Sequence, residues 1–293
     1  MAKKKEKKPA KRHNKLNRSG AGNFISFVFL LLLGTVMLFP FVYAVNNAFK
    51  PLNELFIYPP KLFVREPTTD NFTQLFVLMS GSSVPFSRYI WNTLIITAAG
   101  TFGHIVFASL AGMALSKYEF PGRRFIFAAV QMSLMFISQI TGIINYITIS
   151  ELRLLDTLWS VIIPALGSSM GVFLMKQFMD SMIPNAVLES AAVDGAGLLR
   201  TYRSIVMPMV KPAWITLIIF DIQALWNTDG GTYLISETRK TVSYALSQIT
   251  ASGISRAGVA SAASIIVMIV PIVTFIISQS NVVETMAASG IKE

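Results

Sequence analysis

The chain contains no cysteine. That excludes a disulfide framework, an iron–sulfur cluster, a thiolate zinc site and a cysteine nucleophile. Charge is scarce as well: 14% of the 293 residues, against roughly a quarter in soluble proteins of ordinary composition. No Gly-x-x-x-x-Gly-Lys-Ser/Thr run occurs, and Gly195-Ala196-Gly197 lacks the third glycine and the preceding strand of a dinucleotide fingerprint. Histidine is limited to His13 and His104, and no His/carboxylate cluster or Ser/His/Asp arrangement is legible. No catalytic, cofactor-binding or metal-binding residue is therefore expected in this chain. What fills the space is hydrophobic residue, at 53%, with a mean hydropathy of +0.57. The class is integral membrane protein.

The net charge of +10 is unevenly placed. The first 23 residues hold nine of the 25 cations and a single acid, Glu6, leaving 16 cations and 14 acids for the rest. A basic excess confined to a tail argues against a nucleic-acid-binding globule. It fits a topology signal with contact to anionic lipid.

About 20 apolar residues cross a bilayer. Stretches of that kind run over 24–45, 89–116, 125–149 and 157–178 (charge-free to 175), with a last one over 257–280. A shorter stretch over 212–226 contains Asp221. The reading is an all-α protein with six transmembrane helices, five being the fallback. The first span is read as uncleaved, because its apolar core exceeds that of a signal peptide and Tyr43-Ala44-Val45-Asn46-Asn47 offers no small-x-small site. With six spans, 17 Lys and Arg fall on the side of the N-terminus and eight on the other, which places both termini in the cytoplasm. The two long outer segments are 46–88, too rich in proline for another crossing, and 227–256, whose charge-free run 241–255 suits an amphipathic re-entrant segment. No internal repeat is visible. The organisation expected is a basic cytoplasmic tail, 1–23, followed by one transmembrane domain, 24–293.

The most informative stretch lies between spans four and five. It reads Pro184-Asn185-Ala186-Val187-Leu188-Glu189-Ser190-Ala191-Ala192-Val193-Asp194-Gly195-Ala196-Gly197, then Ile205-Val206-Met207-Pro208-Met209-Val210-Lys211-Pro212. Pro184 and Asn185 suit a helix start, and Gly195 permits a turn that a side chain resists. Asp194 is expected to cap the helix that resumes toward Ile205. Ser190, Ala191 and Ala192 leave a small-residue face open to close approach, and Pro208 and Pro212 mark the start of span five. The product is a helix–turn–helix knob suited to a partner's groove.

Glu189 to Ala196, with Ile205, Pro208 and Pro212 following, resembles the EAA loop of binding-protein-dependent ABC importer permeases. Ser190 departs from the usual alanine. Tyr118–Arg124 resembles the second cytoplasmic loop of the carbohydrate importers in that family. Ile163-Pro164 with Gly171–Phe178 is similar to their fourth span, and Trp226-Asn227 to the end of their fifth. The close of the chain, Val282–Lys292, is similar to the tail of the maltose-type second permease subunit, which reaches into the ATPase dimer interface. Ser138 and Asn145 stand where that family commonly has proline. The resemblance covers roughly 24–293. It implies a permease subunit of an ATP-driven importer of oligosaccharides in the bacterial cytoplasmic (inner) membrane, working by alternating access.

The resemblance further implies that Glu189, Ser190, Ala191, Ala192, Asp194, Gly195 and Ala196 dock on an ATPase subunit. The partners implied are a second homologous permease subunit in a heterodimer, two ATP-binding subunits that hold ATP and Mg, and an extracytoplasmic solute-binding protein. The chain itself would not be an enzyme. Rival readings are an importer of amino acids, peptides or another solute, an ion-coupled secondary carrier, and a non-transport membrane scaffold.

Asp221 stands out, since an Asp at mid-bilayer costs about 2.5–3.5 kcal/mol on insertion scales. It either lines the translocation path or hydrogen-bonds a neighbouring helix. Gln131, Gln139, Asn145, Tyr146, Gln223, Trp226 and Asn227 are polar or aromatic groups within spans, suited to sugar contact or to helix–helix hydrogen bonds. Trp159 reads as an interfacial belt residue and His104 as a packed, neutral imidazole. Ala108, Ala111 and Gly112 read as a close-packing face.

Overall fold

The computed structural model describes residues 20–80, 84–136, 138–251 and 256–290, with side chains described over 22–80, 84–136, 141–251 and 256–279. The basic tail up to residue 19 and the side chains of the C-terminal segment 280–293 lie outside these residues. Among the described residues the secondary structure is helical throughout.

Helix α1 (Gly20–Ala48) is apolar on every side, with Phe24, Leu30, Met37 and Phe39 all exposed. A helix hydrophobic all round belongs against lipid or a partner, not in water. The proline-rich segment 46–88 holds two short helices, α2 (Leu52–Leu55) and α3 (Asp70–Ser80). Its prolines keep it from crossing, as expected. Next come α4 (Phe86–Lys117), α5 (Arg123–Ser133), α6 (Ser138–Glu151), α7 (Trp159–Leu166) and α8 (Ser169–Met182). The knob segment comprises α9 (Asn185–Val193), α10 (Leu198–Thr201), a π-helical turn (Tyr202–Val206) and α11 (Met207–Met209). It leads into α12 (Lys211–Trp226), α13 (Val242–Thr250) and α14 (Ala257–Gly290).

Among the described residues, four helices are long and apolar enough to cross a membrane: Gly22–Ala48, Phe86–Lys117, Trp159–Met182 and Ala257–Gln279. A fifth crossing is available if Leu198–Met209 and Lys211–Trp226, bent by 78°, count as one. The expected third span, 125–149, differs from its reading. It is divided into α5 and α6 by a turn after Ser133, where Met135 N–H donates to Met132 and Phe136 N–H to Ser133. Neither glycine nor proline marks the break, so composition gave no warning of it. The bend before α12 has a clear cause. Pro208 and Pro212 have no N–H for the carbonyls of Ser204 and Pro208, so the helical ladder is interrupted twice.

Helix α4 is the centre of the molecule. It packs along α8, α12 and α7, and touches α13. Three apolar clusters follow one another along it. Tyr89 joins Leu75, Val242, Leu246 and Val259 near its N-terminal end, and Ile96 joins Ile162, Leu225 and Leu234. Ala108 and Met113 join Met175, Met179, Val210 and Leu217 toward the knob. The closest approach is to α8: a Cβ on Gly112 would lie 2.8 Å from Met175 Cβ and 3.0 Å from the Lys176 backbone nitrogen. Gly112 therefore belongs to a close-packing face, as its neighbours suggested.

Candidate functional site

The knob grows out of the α8–α9 corner. Lys117, the last residue of α4, donates from Nζ to the Ile183 carbonyl at 2.6 Å, and Ile183 itself is buried in the cluster around Met179. Pro184 (ψ 140°) turns the chain, and α9 starts at Asn185 without a side-chain cap. Its far end is a Schellman motif. Gly195 adopts φ +71°, its N–H donates to Ala192 at 3.1 Å, and the Ala196 N–H reaches back to Ala191 at 2.9 Å. Ala191 is buried beneath this turn, which accounts for a small residue there. Asp194 is the C-cap of α9, and α10 begins on Gly197 with no side-chain cap. The expectation that Asp194 caps the resuming helix is thereby corrected: the turn spends its orphan carbonyls on Gly195 and Ala196 first.

Of the residues expected to dock, Glu189, Ser190, Ala192, Asp194 and Gly195 are exposed, Ala196 is half-buried and Ala191 is covered. Ser190 returns its hydroxyl to Ala186 at 2.8 Å, so the departure from alanine leaves no unpaired group. Three neighbours escaped the sequence reading. Val193, Leu198 and Leu199 are 88%, 64% and 76% exposed, flanking the turn with apolar side chains that no described residue covers. Apolar residues on both sides of Asp194-Gly195 were the available signal.

The second set of expected residues divides. Asp221 on α12 meets His104 on α4, with Nδ1 2.8 Å and 2.7 Å from the two carboxylate oxygens. Whichever of the two carries the proton, the imidazole and the carboxyl group are within hydrogen-bond distance of each other. The imidazole is 2% exposed and the carboxyl 14%, and Gly171 on α8 makes the space, since a Cβ there would fall 2.0 Å from Nε2. Of the two readings of Asp221, this geometry supports the helix–helix bond. Trp226 is buried and donates from Nε1 to the Val267 carbonyl at 2.9 Å, tying α12 to α14. Gln223 and Asn227 are exposed, and both line a cleft of 360 Å³ with Phe41, Pro271 and Phe275. Gln131 on α5 and Asn145 and Tyr146 on α6 are exposed in a separate place, with the Tyr146 ring 6.2 Å from Tyr233. The side chain of Gln139 lies outside the described residues. Trp159 is exposed at the start of α7.

Within the run 241–255, helix α13 lays Val242, Leu246 and Ile249 into the core, and residues 252–255 lie outside the described residues. A carboxylate clasp steadies the loop before α13. Asp156, at φ +59°, accepts from the Ile235 N–H at 2.9 Å, the Ser236 N–H at 2.8 Å and the Ser236 hydroxyl. Partial burial works against its charge, but the hydrogen bonds from Ser236 and Ile235 and the nearby Arg239 outweigh it, and the carboxyl sits below the usual range. A depressed value contributes stability above the unfolded carboxyl's pKa of about 3.9, lost as pH falls through the folded value. Asp156→Ala should therefore destabilise the protein by about 1 kcal/mol at neutral pH and by progressively less in acid. A pH series of thermal melts of both forms checks this, and a constant gap down to pH 3 would sink it.

No family profile matches the chain. Relatives are nonetheless plain. The maltodextrin transport system permease protein MdxG of Bacillus subtilis is 29% identical over 280 residues, covering 91% of this chain and 95% of the relative. The arabinooligosaccharides transport system permease protein AraQ of the same organism is 28% identical over 200 residues, or 68% of this chain and 70% of the relative. Among solved structures, a bacterial ABC transporter involved in the import of the acidic polysaccharide alginate shares the fold at a TM-score of 0.74 and 20% identity, covering 90% of this chain and 98% of that one. The homologues are ABC transporter permeases, transport subunits and not enzymes, as the segment 184–212 indicated.

Proposed function

We propose that this chain, a homologue of ABC transporter permeases, is one of two membrane-spanning subunits of an ATP-driven importer that moves oligosaccharides inward. The observation that carries the reading is the knob: a glycine-capped helix that ends in exposed Val193, followed past the turn by exposed Leu198 and Leu199, built at one end of a bundle of apolar helices. An apolar protrusion of this kind needs a groove to enter. The partner proposed is an ATPase subunit that binds ATP and Mg, with Glu189 to Ala196 at the contact. A second permease subunit completes the channel, and an extracytoplasmic binding protein delivers the sugar.

In this reading residues 24–293 form one domain with six crossings, α5–α6 supplying a broken third one, and both termini lie in the cytoplasm of a bacterial cell. The excess of Lys and Arg on the knob side supports that orientation. The sugar path is assigned to the exposed polar groups Gln131, Asn145, Tyr146, Gln223 and Asn227, which offer amides to hydroxyls and an aromatic face to an apolar sugar face. ATP binding shifts the channel outward by favouring that state in the ATPase pair, and hydrolysis resets it. A second reading replaces the oligosaccharide with another small solute. It draws on a further relative, the sn-glycerol-3-phosphate transport system permease protein UgpE of Yersinia pestis, 28% identical over 213 residues.

The test is ATP hydrolysis by the reconstituted complex, presented in turn with oligosaccharides and glycerol phosphates together with the binding protein. An oligosaccharide should raise the rate, and uptake should stop on ATP depletion. Uptake that survives ATP depletion but collapses with an ion gradient would overturn the assignment. Glu189→Ala should leave the protein folded and lower coupled uptake, because the exposed Glu189 side chain makes no hydrogen bond or ion pair among the described residues.

A further inference from the structure

The largest cleft among those described is unconnected with the knob's turn or with the polar groups of α12. It opens where α4 ends and α5 begins, holds 720 Å³, and is lined by Arg123, Arg124, Lys176, Glu119, Phe125 and Phe127 among others. Three cations face one acid. Their placement is specific. Arg123 is held by the last turn of α4, with Nε donating to Leu115 at 2.8 Å and Nη2 to Ser116 at 3.1 Å, which uses two of its five donors. Lys176 pairs with Asp180 at 2.5 Å and lies 4.3 Å from the Phe127 ring centroid. Arg124 is exposed and makes no hydrogen bond or ion pair among the described residues. The first turn of α5, eleven residues long, starts on Gly122 at φ +88° without a side-chain cap. Its free N–H groups add a partial positive charge at the same place.

The walls are of the opposite character. Among the lining residues Phe125 is exposed, and Phe127, whose ring stacks on Phe173, forms one side. The site therefore joins a cationic floor to an apolar flank at the end of the 32-residue helix α4. We propose that this cleft binds an anionic phospholipid: the phosphodiester is taken by Arg124, Arg123 and the start of α5, and an acyl chain lies along Phe125. Basic pockets at the edge of transmembrane helices take anionic headgroups in this way. The proposal rests on the chain's spanning a membrane and not on what it transports.

The experiment uses the purified full chain in a neutral detergent, with no transport assay. Thermal melts are recorded against added dioctanoyl phosphatidylglycerol, dioctanoyl phosphatidylcholine and inorganic phosphate. Phosphatidylglycerol should raise the melting temperature in a saturable way, with little effect from the other two. Arg124→Ala should leave the unliganded melt unchanged and weaken binding about fivefold, and Arg124→Glu about 25-fold, at about 1 kcal/mol per charge near the surface. Equal stabilisation by inorganic phosphate would reduce the cleft to a simple anion site and overturn the lipid assignment. Equal stabilisation by phosphatidylcholine, or undiminished binding by Arg124→Glu, would overturn the site itself.

Discussion

Gly195→Val is expected to abolish coupled uptake, and Gly195→Asn to retain most of it. A Cβ at Gly195 meets nothing within 4 Å, so there is room for a side chain. What the position demands is φ +71°, a left-handed conformation that costs an ordinary residue about 1–2 kcal/mol and a β-branched one more. Asparagine tolerates it. In the valine variant the N–H groups of residues 195 and 196 lose their carbonyl partners, and the turn that aims Val193 at one side and Leu198 at the other opens. A strain of about 1.4 kcal/mol already means a tenfold loss of the correctly shaped knob. The measurement is ATPase co-purification together with substrate-stimulated hydrolysis. Matching losses in Gly195→Asn and Gly195→Val would show that the surface, and not the turn, is what matters there.

The second large effect concerns the pair between α4 and α12. His104→Leu leaves the Asp221 carboxyl among apolar helices with its partner gone, and loss of one partner of a buried pair costs about 3–5 kcal/mol. Asp221→Leu leaves the imidazole unpaired, at about 1–3 kcal/mol. The double variant removes both polar groups and should recover most of the loss, because leucines replace the pair without a buried orphan. Gly171→Ala should disturb the pair from α8 while altering neither partner, since the added methyl would overlap Nε2. Denaturation of the four proteins in one detergent completes the cycle. A double variant as unstable as the sum of the single ones would contradict the direct interaction.

What the sequence disclosed and what it concealed follow from range. The cap of α9 is local: six consecutive residues supply every donor and acceptor of the turn, so Asp194-Gly195 could be recognised from the chain alone. Apolar stretches likewise report the long helices α1, α4 and α14, because each needs only its own composition to be stable in lipid. The partner of Asp221 lies 117 positions away, and the gap that admits the imidazole belongs to a third helix. No window of sequence joins His104, Gly171 and Asp221. The α5–α6 break is hidden for another reason. Its residues are ordinary helix formers, and the interruption is accompanied by Ser133 meeting Ser169 on α8, their hydroxyl oxygens 2.6 Å apart. Trp226 shows the same limit in reverse. Its indole suited a sugar contact or a helix–helix bond equally, and only the fold shows its N–H committed to the α14 backbone.

Helix α4 passes through all three apolar clusters, and its neighbours each join one or two. Displacing it would open the three together, so in the transport cycle proposed above it would serve as the axle and the others as the parts that turn. The cluster that holds Val206, Val210 and Leu217 lies nearest the knob, and the 78° bend at Val210 converts a push along one arm into a sideways swing of the other. In the import cycle proposed above, a short movement delivered at α9 would reach α12 with its direction changed by that bend, and the cluster around Tyr89 and Leu246, at the far end of α4, would feel it last.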